Sequence, residues 1–358
     1  MSEITLEIFL FTSLIFIGIF LNYCFKNTYL KKSLKFYILN IALPTTIFIS
    51  VVSIKIQYEY FFYPLIFLLF NFLVLMISNT FLRILNVEDL KKKRTLLLLL
   101  PSFAPGLSCF TIINEFLGYD SLAKASLIDF GNKIFVLIIL FFIAIGLHKQ
   151  NQKIQSNLHE KKLGPVLKNL FYEPINIVIF IALLFLFSNN TINDMPNTLI
   201  SLFERIKTTL APAVFLFVGI SMIFEKKYFL QILPILFIRA GICLLLVVLI
   251  IRIFNFKLED EALLYLILSL SSVSFWPFAH MTFIEKLEKK LPLSRKTFDL
   301  KFGLIFLAYS LPFSTILIMG LFISEETLTD LMNLFLISIL LIIIGFLILK
   351  ISKKKLLI

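Results

Sequence analysis

Charge is what this chain has least of. Only 16% of its 358 residues are Asp, Glu, Lys or Arg, too few to clothe a water-soluble domain of that length. Histidine and cysteine are scarce as well, with three of each. Cys24, Cys109 and Cys243 fall in or at the edge of apolar runs, without metal-ligand spacing or a pairing pattern, so neither a metal centre nor a disulfide framework is expected. No glycine-rich phosphate loop is present, which excludes a motor driven by nucleotide hydrolysis. No Lys or Arg precedes Lys26, and the start carries Ser2, Glu3 and Glu7 instead. The first apolar run therefore reads as a retained span, since a cleavable leader wants a positive start and a small-residue cleavage site. A net charge of +12 raises nucleic acid as a partner, but the basic residues sit in short linkers between apolar runs and no basic domain exists.

What the chain does have is hydrophobic sequence, 59% of it, with a mean hydropathy of +0.97. Apolar runs of about 20 residues span about 30 Å of hydrocarbon as helices. The runs here are continuous rather than alternating, which favours helices over a barrel. Eleven segments can be drawn: 7–24, 36–54, 61–82, 96–116, 121–147, 169–188, 199–223, 229–251, 262–284, 302–323 and 329–349. Alternate linkers (25–35, 83–95, 148–168, 224–228, 285–301) and the tail hold 26 Lys and Arg, against three in the intervening ones, Lys55, Arg252 and Lys257. The positive-inside rule then places the N-terminus outside and the C-terminus in the cytosol of an inner (plasma) membrane.

An internal repeat is expected. Asn40-Ile41-Ala42-Leu43-Pro44 in the second span matches Thr209-Leu210-Ala211-Pro212 in the seventh. Within the fourth span, Pro101-Ser102-Phe103-Ala104-Pro105-Gly106-Leu107-Ser108 interrupts the apolar run, and Ser269 to Pro277 does the same in the ninth. The offsets are 168 residues from Pro44 to Pro212 and 172 from Pro105 to Pro277. Five spans per copy is an odd number, so the copies are inverted. The expected fold is thus an all-α polytopic membrane protein of two inverted five-helix repeats, 1–147 and 169–323. A basic linker, 148–168, joins them, and 324–358 adds one more helix and a basic tail.

Proline removes a backbone donor and clashes with the preceding turn. Matched interrupted spans in two halves are the best sequence pointer to a transporter's binding site, with freed carbonyls and half-helix ends facing a polar cavity. On that ground Pro105, Gly106, Ser108, Asn132, Ser272, Ser274 and Pro277 are the candidate substrate-binding residues. Pro44 and Pro212 read equally as ordinary kinks. Ionisable residues inside spans are functional hypotheses by default. Asp129 and Lys133, four apart on one helix face, form either a self-neutralising pair or an ion site. Arg239 in the eighth span meets Asp129, an anionic substrate, or helix-end carbonyls. Glu204, Arg205 and Lys207 reach for the interface, and His280, following the ninth-span break, is a lone histidine open to a structural reading.

Two stretches carry a family resemblance. One is Phe36-Tyr37-Ile38-Leu39-Asn40 leading into Ala42-Leu43-Pro44. The other runs from Phe116-Leu117-Gly118-Tyr119-Asp120 through Ala123-Lys124-Ala125 to Asp129-Phe130-Gly131-Asn132. In these the chain resembles the auxin efflux carrier family of permeases, within the bile acid/auxin-type transporter superfamily. The resemblance implies two inverted five-helix repeats, with the fourth and ninth helices broken and crossing near the bilayer midplane where substrate binds. Pro105 and Pro277 would mark the crossing, and a homodimer is implied by resemblance alone. The chain departs from the pattern in having Trp276-Pro277 where bacterial members often pair Met with Pro, and in carrying an eleventh span. The function expected is secondary transport of a small organic anion without a cofactor. The competing classes are a membrane-embedded transferase acting on a lipid-linked or acyl substrate, and a structural subunit. Scattered histidines and the lack of a large outer loop argue against the transferase.

Overall fold

A computed structural model describes residues 3–25, 28–53, 60, 62–84, 89–152, 174–188, 192–222, 226–253, 260–288, 296–323 and 330–356. Every regular element among them is helical, because only helices satisfy backbone donors and acceptors internally in a medium that offers none. In chain order the α-helices are α1 (Glu3–Phe25), α2 (Thr28–Tyr37), α3 (Leu43–Ser53), α4 (Tyr63–Ile84), α5 (Leu90–Leu99), α6 (Pro105–Ser108), α7 (Phe110–Ile134) and α8 (Leu140–Gln152). They continue as α9 (Pro174–Phe187), α10 (Asn197–Thr208), α11 (Leu210–Ser221), α12 (Lys226–Ile253), α13 (Asp260–Ser269), α14 (Trp276–Leu287), α15 (Leu300–Leu321) and α16 (Leu331–Leu356). One π-helical turn, Ile38–Ala42, joins α2 to α3, and another, Phe135–Ile139, joins α7 to α8.

Among the described residues, seven helical stretches are long and apolar enough to cross a membrane: Leu6–Phe25, Tyr29–Ser53, Tyr63–Ile84, Phe110–Asn151, Tyr228–Ile253, Leu300–Leu321 and Leu331–Ile351. The other four expected spans are shorter for identifiable reasons. The fourth and ninth are broken, so no arm of either is a full span by itself. The seventh divides at Thr209 into α10 and α11, and the start of the sixth lies outside the described residues. Two boundaries need correcting and one stands. His148, expected in a linker, lies inside α8, while His159 falls outside the described residues. The expected boundary between the fourth and fifth spans stands at Gly118, where φ 78° and ψ −172° part α7 into two helices across a kink, a backbone that suits glycine. The second span begins well before residue 36, at Thr28, so Lys31 and Lys35 are helical.

The helices sort into two bundles. In the first, α1 packs on α11, α2 on α11, and α3 on α9 and α10. In the second, α4 packs on α5 and α7, α5 on α8 and α15, α12 on α13, α15 and α16, and α14 on α8 and α15. Contact between the bundles runs mainly through α3 on α7 and through α11 on α7 and α15. Glycine sets how closely the backbones approach. A Cβ at Gly18 would lie 2.4 Å from the Leu216 carbonyl oxygen, and one at Gly219 would lie 2.1 Å from that of Ile15. The α1–α11 crossing is thus a reciprocal small-residue contact, the packing mode favoured where lipid supplies no hydrophobic drive between helices. α16, the helix beyond the expected ten, uses the same device on α12, where a Cβ at Gly241 would lie 2.7 Å from the Ser338 carbonyl oxygen.

Candidate functional site

The fourth span ends its first arm at Leu99 and resumes at Pro105, and the ninth ends at Ser269 and resumes at Trp276. Proline is the first residue of one second arm, Pro105, and the second residue of the other, Pro277, where its missing N–H costs nothing and its fixed φ suits the first turn. The two interruptions lie against each other. Ala104 N–H donates to the Ser272 carbonyl at 2.8 Å, and Ser274 N–H donates to Ser102 Oγ at 3.3 Å. Partners two residues on in one break are two residues back in the other, which is an antiparallel register. Ser272 N–H donates to Ser108 Oγ at 3.0 Å, and Ser272 Oγ donates to the Ala104 carbonyl at 3.3 Å. Val273 N–H reaches Ser310 Oγ on α15 at 2.6 Å. The serines thus do for each break what a helix would have done internally.

Arg239, from the middle of α12, joins the two breaks. Its Nε donates to the Leu100 carbonyl at 2.8 Å, and its two terminal nitrogens donate to Ser271 and Ser102 carbonyls at 2.9 Å each. The guanidinium also lies 4.6 Å from the Phe103 ring centroid. Of the three partners open to it in the sequence, the helix-end carbonyls are the ones it meets. Its three-way fork matches three carbonyls that the breaks have freed, and those oxygens surround it much as they would a bound cation.

Asp129 and Lys133 do pair, at 3.6 Å, both buried on α7. Asn132 on the same helix donates to Asp129 Oδ1 at 2.8 Å and to the Phe103 carbonyl at 2.9 Å. Asn71 on α4 donates to Asn132 Oδ1 at 3.2 Å, while its own Oδ1 is buried without a partner. Gly106 turns towards the first bundle, where a Cβ would meet Leu43 at 3.4 Å and Ile175 at 3.7 Å. Of the residues expected at the site, then, Ser108, Asn132, Arg239, Ser272 and Ser274 bond the breaks directly. Asp129 and Lys133 attach through Asn132, and Pro105 and Pro277 lie in the first turn of the second arms. His280 takes its structural reading: it donates to the Val136 carbonyl, 2.9 Å away, in the π-helical turn before α8. Asn40 bonds only within its own helix, to the Phe36 carbonyl.

Sequence reading missed Asn71 and Ser310, whose spans also hold Ser78, Asn79 and Thr80 in the one case and Ser314 and Thr315 in the other, so composition alone did not single them out. It also missed a second polar centre at the far ends of the arms. There Glu288, next after α14, holds His148 Nδ1 at 2.7 Å and the Thr297 N–H at 3.0 Å. Asn151 donates to Thr297 Oγ1 at 3.2 Å and accepts from Arg94 at 2.6 Å. His148, Glu288 and Thr297 are all buried, tying α5, α8, α14 and the approach to α15 together below the crossing. A cavity of about 520 Å³ lined by Phe229, Phe237, Tyr309, Pro312 and Phe313 lies between α12 and α15, and its wall is too apolar to receive an ion. Among the described residues no cluster of ligating side chains could hold a metal. No protein-family model matches this sequence, and no curated protein matches it either.

Proposed function

We propose that this multi-pass helical membrane protein is a secondary carrier of a small organic anion, working by alternating access around the crossing of the two breaks. The observation that carries the reading is the antiparallel contact of Ser102–Ala104 with Ser272–Ser274. Broken helices are costly in lipid and persist where they line a substrate path. The pairing of the elements supports an inverted duplication. The first span, α1, packs on the seventh, and the sixth, α9, packs on the second, as two interlocked copies would. The first two spans of each half form one bundle, and the last three of each half, with α16, form the other. The crossing lies in the second bundle, with Gly106 facing the first. Sliding of one bundle against the other would expose the crossing to either side in turn. The charge asymmetry of the linkers supports a cytosolic position for the α2 end of the second span.

The resemblance to the auxin efflux carrier family points to the same architecture and to an anionic substrate. Arg239 supplies a fixed positive charge at the crossing, and Asn71, Asn132 and the serines supply orientable hydrogen bonds. The test is uptake of labelled mono- and dicarboxylates into proteoliposomes holding the purified protein, with and without an imposed membrane potential. Saturable uptake, abolished when the two bundles are cross-linked, is the expected result. A chemically altered product, with no anion crossing, would overturn the reading in favour of a transferase.

A further inference from the structure

The two bundles meet along a seam whose two ends are held unequally. At one end α7 presents Phe116 and Tyr119, on either side of Gly118, to the first bundle. Phe11 of α1 lies edge-on to Phe116, ring centroids 6.1 Å apart, and Phe116 stacks on Phe322 at 4.8 Å. Lys207 of α10 reaches across the same end and seats its Nζ 3.9 Å from the centroid of Tyr119. Glu204, one turn back on α10, pairs with that ammonium, and Glu115 of the second bundle attracts it. The Lys207 side chain is only 10% exposed, so the contact is held largely out of water, where a cation on a ring is bound best. The kink beneath Tyr119 is not wedged in place, since a Cβ on Gly118 would meet no atom within 4 Å.

The other end of the seam is held more loosely. There Lys35 of α2 lies 5.1 Å from the Phe275 centroid, and that ring is 51% exposed. Under the duplication proposed above, Lys35 and Lys207 are counterparts. The junction between α2 and α3 holds five residues, Ile38–Ala42, and the junction between α10 and α11 holds Thr209 alone. Those four extra residues raise the offset of 168 after the junction, from Pro44 to Pro212, to 172 before it, which is the separation of Lys35 from Lys207. Two hydrogen bonds join positions of that same separation. One links Tyr37 Oη and Thr209 Oγ1 in the first bundle, and the other links Ser274 N–H and Ser102 Oγ in the second. Counterparts touch only beside the axis that exchanges them. An axis through these two pairs carries one lysine towards each face of the membrane, because two residues back from Tyr37 and two back from Thr209 lead opposite ways.

We propose that Lys207 on Tyr119 is a latch that closes the outer end of the seam, and that Lys35 on Phe275 is its counterpart at the cytosolic end, the two engaging in alternation as the bundles slide. The latches deepen the carrier reading and rest on it. The outer end is the one that the linker charges assign to the outside. In this structure the outer latch is engaged, with ring and carboxylates together on one ammonium, and the cytosolic latch is half-released. A single cation–ring contact is weak enough to break in each cycle and strong enough to bias a two-state balance several-fold.

The test uses the full chain in nanodiscs, with the exposed cysteine Cys24 replaced by Ser. Spin labels at Ser201 on α10 and Asp120 on α7, both exposed, read the width of the outer end by double electron–electron resonance. Lys207→Gln and Tyr119→Leu each raise the ratio of wide to narrow molecules at least about threefold. Lys207→Arg keeps the wild-type ratio, since a guanidinium also sits on a ring. Adding Lys35→Gln to Lys207→Gln returns the ratio towards wild type, because the opposing latch is then lost as well. A reducible cross-link between Lys207→Cys and Tyr119→Cys stops transport of any anion that the wild type carries, and reduction restores it. If Lys207→Gln and Tyr119→Leu leave the ratio unchanged, whatever they do to the melting temperature, the contact is packing and the latch falls while the carrier stands. The latch falls in the same way if the cross-linked protein transports as fast as the reduced one. If Lys35→Gln widens the outer end further, the alternation is overturned. If the wild type carries no anion and every variant shows one distance, latch and carrier fall together.

Discussion

Replacing Arg239 by Met tests whether the two breaks are held by one side chain. Arg239 is 5% exposed and donates to three carbonyls belonging to both interruptions. Met keeps most of the volume and removes every donor. Each buried carbonyl left without a partner costs about 1–3 kcal/mol, and the lost contact with Phe103 adds about 1 kcal/mol. Relief of the desolvated charge offsets part of this. The net expectation is a loss of about 3–5 kcal/mol, the range seen when one member of a buried charged network is removed. That is a large part of a typical domain's stability. Arg239→Lys retains the charge but presents a single point donor to three diverging acceptors, so about half of the loss remains. Reversible unfolding in mixed micelles measures the differences, and the monodispersity of the purified variants provides a second readout. A Met variant within 1 kcal/mol of wild type would refute the idea that this residue organises the crossing.

Other outcomes follow from the same geometry. Gly131→Ala puts a Cβ 1.8 Å from the Pro64 carbonyl oxygen, so α4 and α7 must separate; a loss of at least about 2 kcal/mol is expected in the same unfolding assay. Gly118→Ala meets no atom within 4 Å and is strained only by its φ of 78° with ψ −172°, so its cost should be about 1–3 kcal/mol. Glu288→Ala strands His148 and the Thr297 N–H in a buried place, and about 3 kcal/mol should be lost, with Glu288→Gln recovering part of it. Asp129→Asn keeps a hydrogen-bonding group beside Asn132 but discharges the pair with Lys133. If the carrier proposal holds, transport should fall at least tenfold with surface expression unchanged, and unaltered transport would assign the pair to structure alone.

The sequence by itself determined that this is a helical, multi-span membrane protein, because apolar runs of that length have one soluble alternative, burial in a core too large for the chain. It marked both breaks from Pro105 and Pro277, since proline acts on the backbone locally and needs no neighbour to do so. It anticipated the Asp129–Lys133 pair because one helix fixes residues four apart. Tertiary structure decided everything that depends on which helices meet. Arg239 had three possible partners in the sequence, and only the arrival of both breaks at α12 chose the carbonyls. Ser108 pairs with Ser272 across 164 positions of chain, a distance over which no local pattern operates. Asn71, Ser310 and Glu288 gained their places from helices far away in sequence. Lys31 and Lys35 look like loop charges to a hydropathy window, which averages over neighbours and is blind to direction. The structure puts both inside the helix that carries the second span, with Lys35 Nζ 5.1 Å from the Phe275 ring, because a helix face is defined by what lies opposite it.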